Sequence, residues 1–303
     1  MRWLIPLLLL MAHPAYAADL ILTVTPQAPQ PGEIITVRAQ VPREDQDALF
    51  SWTVDGTEVA SGFGQSSVQV PMPELGTSVE VQVRVDGEER ADPLILRPQR
   101  VTIEWEGLST RPPMYMGRPL FMPRGEIRAH AVAELITARN TRIPNTEIKY
   151  TWSINDAPLR ESGYGKDTVR IAPPVFNRPF TLNVRAETRS GLIAEDTVSL
   201  SASLPSLMVY ELSPLRGLTE HAVRSEIALR SSEVTFIAYA LYAPTELIYS
   251  WTLNRQPVTV SGDDPRVVTF RRTGEGIGQY QIGVNAQNGQ PFGSYNRSFL
   301  LNF

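Results

Sequence analysis

Chemistry in this chain would have to come from a short list of side chains. Asp263-Asp264, and Asp45 with Asp47, are the acidic pairs a divalent cation would use. Calcium takes about six to eight oxygens, several from carboxylates gathered in one loop. Neither stretch has that spacing, so both read as solvated turns. His130 and His221 are the histidines beyond the N-terminal segment that holds His13, and they lie far apart. The chain has no cysteine, which removes disulfides, thiolate ligands and a Cys nucleophile. Paired carboxylates for glycoside cleavage come together only in a fold, yet no segment looks like an inserted catalytic loop. Ser61-Gly62-Phe63-Gly64 and Gly274-Glu275-Gly276-Ile277-Gly278 are glycine-rich but lead into no helix, so they read as hairpin turns rather than phosphate cradles. Asn296-Arg297-Ser298 is a formal glycosylation sequon. The expectation is a protein that is not an enzyme, with no catalytic residue, no cofactor and no metal site.

The elements that would position any site begin with a targeting segment. Met1-Arg2 supplies one positive charge, Trp3 to Met11 is almost wholly apolar, and Ala15-Tyr16-Ala17 precedes Ala18. That order matches a secretory signal peptide over 1–17. The apolar run is shorter than the ~20 residues a membrane helix needs. No cysteine follows the cleavage site, which argues against a lipid anchor, and no transmembrane segment is expected in the mature chain. A net charge of −4 with no basic run leaves nucleic acid without an electrostatic footprint. The basic residues are almost all arginine, Lys149 and Lys166 being the lysines; base-composition bias accounts for that.

An internal repeat organises the rest. Phe50-Ser51-Trp52-Thr53-Val54-Asp55, Tyr150-Thr151-Trp152-Ser153-Ile154-Asn155 and Tyr249-Ser250-Trp251-Thr252-Leu253-Asn254 share one pattern: aromatic, hydroxyl, Trp, hydroxyl, aliphatic, Asx. The tryptophans fall 100 and 99 residues apart. Ser61-Gly62, Ser162-Gly163 and Ser261-Gly262 follow each about ten residues on. Alternating apolar and polar stretches flank each Trp, before it at Ile35, Ile127 and Val234 and after it at Val79, Phe180 and Tyr280. Alternation with period two marks half-buried strands. Units of this length, made of short strands and Gly/Pro/Asx turns, have the grammar of a β-sandwich. Trp52, Trp152 and Trp251 are then core plugs rather than exposed sugar-binding aromatics.

The Trp-strand motif, following an opening such as Pro29-Gln30-Pro31-Gly32-Glu33, resembles bacterial immunoglobulin-like domains of the PKD type. The resemblance implies tandem β-sandwiches of exported and surface proteins and implies no catalytic residues. The Gly-Asp-Gly turn of that family is reduced here to Asp55-Gly56, Asn155-Asp156 and Asn254-Arg255. The expected fold is all-β: three tandem Ig-like or PKD-like β-sandwiches in an elongated rod after the signal peptide.

Prolines set the expected boundaries. Asp92-Pro93 and Pro98 mark one junction and Leu204-Pro205 the other, giving domains over 18–98, 99–204 and 205–303. Short proline-bearing linkers resist flexing. The ending Ser298-Phe299-Leu300-Leu301-Asn302-Phe303 reads as the last strand of the third domain. One segment breaks the pattern: residues 112–123 hold four prolines with Met114, Tyr115, Met116, Phe121 and Met122. Methionine suits irregular interfaces, which makes this loop a candidate partner contact; the competing reading is a crossing that packs on its own or a neighbouring domain. The function expected is an exported structural spacer, or an adhesion or assembly subunit, at the cell surface or in the envelope. Its partners would be other surface or envelope proteins, or polysaccharide. A carbohydrate or cell-wall polymer binding module and a periplasmic assembly chaperone are the alternatives, with the periplasm as the other compartment.

Overall fold

The computed structural model describes residues 20–41, 47–173, 178–229, 231–260, 262–274, 277–289 and 293–302. The segment 1–17, Asp45, Ser261, Gly276 and Phe303 lie outside the described residues. The described chain is built of strands, with one 3-10 turn at Asn145–Glu147.

The first sandwich contains β1 (Ile21–Thr25), β2 (Ile34–Gln40), β3 (Leu49–Val54), β4 (Thr57–Phe63), β5 (Ser67–Pro71), β6 (Val79–Val85), β7 (Glu88–Glu89) and β8 (Leu94–Leu96). One sheet has the order β1-β2-β5, the other β4-β3-β6-β7 with β8 beside β6. Alternation decides the faces: in β6, Val79, Val81, Val83 and Val85 are buried and the residues between them are not. These valines join Ile35, Val37, Phe50, Trp52 and Val70 in one core.

The second sandwich contains β9 (Arg100–Gly107), β10 (Ile127–Glu134), β11 (Ile148–Ile154), β12 (Ala157–Pro158), β13 (Gly163–Tyr164), β14 (Thr168–Ile171), β15 (Phe180–Thr188) and β16 (Ile193–Leu200). Its sheets run β14-β10-β9 and β12-β11-β15-β16, with β13 beside β11. The third contains β17 (Ser206–Ser213), β18 (Gly217–Leu218), β19 (Glu226–Ala228), β20 (Glu233–Leu241), β21 (Ile248–Leu253), β22 (Gln256–Val258), β23 (Val267–Arg271), β24 (Gln279–Gln287) and β25 (Ser294–Asn302). Its sheets run β18-β17-β20-β23 and β19-β25-β24-β21-β22. Phe236, Trp251, Ile282, Val284, Phe299 and Leu301 lie in its core. The chain divides into two compact units. One is Met1–Val101 with Ala133–Ile148 and Ala186–Glu195; the other is Thr102–Val132 with Lys149–Arg185 and Asp196–Phe303.

The repeat in the sequence is a repeat of hydrogen bonds. Trp52, Trp152 and Trp251 are essentially inaccessible to solvent. Each indole N–H donates to the backbone oxygen 13 or 14 residues on: Gln65 at 2.8 Å, Lys166 at 2.9 Å and Pro265 at 3.1 Å. A buried indole must find such an acceptor or lose its hydration without return. The residue after each acceptor then takes the N–H of a strand in the opposite sheet: Ala39 to Ser66 at 2.8 Å, Ala131 to Asp167 at 2.7 Å and Ala238 to Arg266 at 3.0 Å. The plug therefore ties the two sheets of each sandwich at the same place.

The Asx that ends each motif has an equally definite task. Asp55-Gly56, Asn155-Asp156 and Asn254-Arg255 all have positive φ at both positions, the geometry of the two-residue hairpin turn whose twist suits antiparallel strands. Each Asx side-chain oxygen accepts a 2.9 Å bond from a neighbouring strand's N–H, at Glu80, Thr181 or Gln281. Its own N–H donates back to that residue's carbonyl, at 2.9, 3.0 and 2.8 Å. Asx tolerates the left-handed region and offers a short acceptor there.

Candidate interaction site

The methionine-bearing loop of the second sandwich is fixed at several points. Gly107 donates its N–H to Pro119 O at 2.7 Å. A Cβ on Gly107 would overlap the backbone of Leu120 and Phe121, so only glycine lets the loop press onto the end of β9. Ser109 Oγ–H donates to Leu120 O at 2.6 Å, and Arg111 reaches Gly117 O at 3.3 Å. Arg118 stacks its guanidinium over the Trp105 ring, 4.9 Å from the centroid.

Phe121 departs from the expectation of a partner-facing loop. It is only 1% exposed and packs edge-on against both Trp105 and Phe180. The phenyl ring is a core residue of the second sandwich, because the Gly107 contact draws the loop inward at that point. Met122 is half-buried. Tyr115 bonds through its hydroxyl to that of Tyr242, with the two rings edge to face. Met114 and Met116 remain outward, Met116 at 94% exposure. Of the five residues, these two form an apolar tip on a loop whose roots are buried.

Tyr242 belongs to a joint between the second and third sandwiches, within one compact unit. Thr110 donates its N–H to Ala243 O at 2.9 Å and accepts from Tyr242 N–H at 2.8 Å. Its hydroxyl adds a bond to Ala243 O at 3.1 Å. This is strand-like pairing between segments 133 residues apart. Tyr242 sits at φ 57, a conformation that a bulky residue adopts only when its surroundings hold it there. Burial, followed by the Tyr115 hydroxyl, pushes its phenol up to about 12.

The first joint, within the other unit, uses a side chain where the second uses backbone. Gln99 is 3% exposed and sits just after Pro98. Its Oε1 accepts from Ile136 N–H at 2.6 Å and its Nε2 donates to Ile136 O at 3.3 Å. Its own N–H donates to Pro29 O at 3.2 Å, and Gln30 Nε2 donates to Glu195 O at 3.0 Å. Neither joint is announced by composition. Gln99 follows a proline and precedes Arg100 at the start of β9, so it looks like one more polar linker residue, and Tyr242 carries no signal at all.

Asp264, one of the acidic residues considered for calcium, has another duty. Asp264 takes a two-pronged ion pair from Arg266, with Nε at 2.9 Å and a terminal nitrogen at 2.7 Å. The Arg266 guanidinium beside it holds the carboxyl below the usual carboxylate range. His130 meets Thr168 Oγ1 at 3.0 Å on a strand of the second sandwich, while His221 belongs to the third. Among the described residues no group of three or more His, Asp or Glu side chains is placed to hold a metal ion, and no helix is long and apolar enough to cross a membrane.

Fold and joints together define an all-β protein of tandem sandwiches. No family model and no curated protein matches the chain. Solved structures similar to it include the three N-terminal domains of the bacteriophage RB49 highly immunogenic outer capsid protein, at 11% identity and TM-score 0.28 over 94% of this chain and 98% of that one. The central fibronectin-III array of RIM-binding protein matches at 11% identity and TM-score 0.31, over 95% and 97%. Fibronectin(III)-like modules of Clostridium thermocellum CbhA match at 13% and 0.27, over 67% and 93%.

Proposed function

We propose that this is an exported, non-catalytic spacer or assembly subunit of the cell surface or envelope. The observation that carries the reading is the chemistry of the two joints. Successive sandwiches are joined by hydrogen bonds buried or half-buried at the junction, through Gln99 with Ile136 and Thr110 with Ala243. A chain that only needed to link independent binding modules would gain nothing by satisfying backbone groups across its junctions. One that must hold successive modules in a set relation gains stiffness. Export rests on the signal segment 1–17, and the PKD-type affiliation rests on the repeated aromatic-Ser/Thr-Trp pattern.

Met114 and Met116, presented on a braced loop, are the surface offered to a protein partner in this reading. The test is capture of partners from envelope extracts by the mature protein beginning at Ala18. A specific envelope protein should be retained, and the double change Met114→Ser with Met116→Ser should release it without lowering thermal stability. Retention that is indifferent to the change would remove the tip from the interface. Failure to retain any envelope protein would count against the assembly role.

A further inference from the structure

The third sandwich differs from the other two on the outer face of its Trp-bearing sheet. In the second copy, Asn183 of β15 fills that face: its amide reaches Ser153 Oγ at 3.3 Å and the turn residue Asp156 at 3.4 Å. In the third copy the matching position is Gly283, opposite Thr252 on β21 and Ser298 on β25. What is left is a hollow of about 290 Å³ lined by Thr252, Arg255, Gln281, Asn285, Asn296 and Ser298 among others, with Gly283 at its floor. Its lining includes no acidic side chain.

Arg255 is the outlying feature. It occupies the second position of the hairpin turn at φ 70, where the first copy has Gly56 at φ 77. An arginine in the left-handed region is a local cost that glycine would avoid. Its guanidinium is exposed and has no hydrogen-bond or ion-pair partner among the described residues. The neutral amides and hydroxyls beside it present donors and acceptors in rows, spaced by the strands, and the face is open at its sides.

We infer that this hollow binds a carboxylate-bearing saccharide segment. Arg255 would pair its planar fork with a uronate carboxylate, and the Asn, Gln, Ser and Thr groups would take the sugar hydroxyls. An open face suits part of a polymer better than an enclosed small molecule. The whole chain is net negative at −4, so a polyanion gains no general attraction and must be held locally. The inference stands apart from the spacer role, since one concerns a sheet face and the other the joints and loop tip.

Affinity electrophoresis of the full mature chain at neutral pH, in gels holding polygalacturonate, a neutral galactan or dextran sulfate, tests it. Polygalacturonate should retard the protein, and the galactan should do so far less. Arg255→Gly, which restores the residue type of the first copy, should weaken retardation about tenfold, the loss expected for one charge-assisted pair. Gly283→Asn, which restores that of the second copy with Thr252 turned aside, should abolish it. Arg255→Gly should melt at or above the parent temperature, and Gly283→Asn, whose Cβ must displace the Thr252 hydroxyl, should melt somewhat lower while keeping the parent's circular dichroism. Retardation unchanged in folded Arg255→Gly, equal retardation by dextran sulfate, or no retardation by polygalacturonate would overturn the assignment.

Discussion

The side-chain amide of Gln99 is bonded to both backbone groups of Ile136, accepting from its N–H at 2.6 Å and donating to its oxygen at 3.3 Å. One planar amide thus stands in for a neighbouring strand at a place where no strand is available. Gln99→Ala would leave both peptide groups of Ile136 without that partner in a half-buried site. A loss of about 1–3 kcal/mol follows for an orphaned buried group, read as a lower denaturant midpoint with an unchanged slope. Gln99→Glu keeps the acceptor and forfeits the donor while burying a charge, so it should cost more than Gln99→Ala at neutral pH and recover part of the deficit in acid.

The three Asx turns form an internal comparison. Asp55→Ala, Asn155→Ala and Asn254→Ala each remove a 2.9 Å bond to a strand N–H and force alanine to a φ between 46 and 49. Each should destabilise by about 1–3 kcal/mol. The matching glycine variants, free of the backbone penalty, should lose less. Thermal melts of the six proteins would show the two series; equal losses for alanine and glycine would mean the left-handed conformation is not maintained in solution.

Trp52, Trp152 and Trp251 supply a second comparison. Replacement by phenylalanine keeps most of the apolar volume but strands the oxygens of Gln65, Lys166 and Pro265. Replacement by alanine opens a cavity as well, with a cost of about 3–5 kcal/mol. The alanine variants should therefore fall well below the phenylalanine variants in each of the three copies, and calorimetry measures the order.

The regular part of this fold was legible in the sequence because it is local and repeated. Alternation placed Val79, Val81, Val83 and Val85 on one face, and the motif placed each indole where only a core could use it. The significance of the terminal Asx was missed: as one letter in a pattern it looked like a weakened acidic turn, whereas its role depends on a strand N–H about 25 residues away. The loop over 112–123 stayed open between two readings in the sequence for a related reason, and at Phe121 the packed reading holds. Proline and methionine content describes a loop's stiffness and surface, but the inward pull at Gly107 is a close approach between non-adjacent backbones. The joints were the least legible part, because Thr110 and Ala243 have no shared pattern and meet only in three dimensions.

High pH offers a selective handle on the second joint. The Tyr242 phenol is pushed from 10.0 up to about 12, by burial first and then by the Tyr115 hydroxyl. The folded state therefore favours the neutral phenol. Its contribution is complete below pH 10 and is lost as the pH rises through about 12. Burial also raises Tyr210, Tyr249 and Tyr295, so alkaline destabilisation should have the same sign in all four. Tyr115→Phe should lower the pH at which Tyr242 ionises, seen as an earlier tyrosinate step in an ultraviolet titration. An unshifted step would mean the hydroxyl pair does not form.

Backbone hydrogen exchange of the mature chain tests most directly whether the joints are built structures rather than linkers. The Ile136 amide at the first joint and the Thr110 and Tyr242 amides at the second should exchange as slowly as paired strand amides of the sandwiches they join. Gln99→Ala should release Ile136 without exposing the Trp-bearing strands. Exchange of these three amides at the rate of an unstructured peptide, while the strand amides stay protected, would contradict the spacer account.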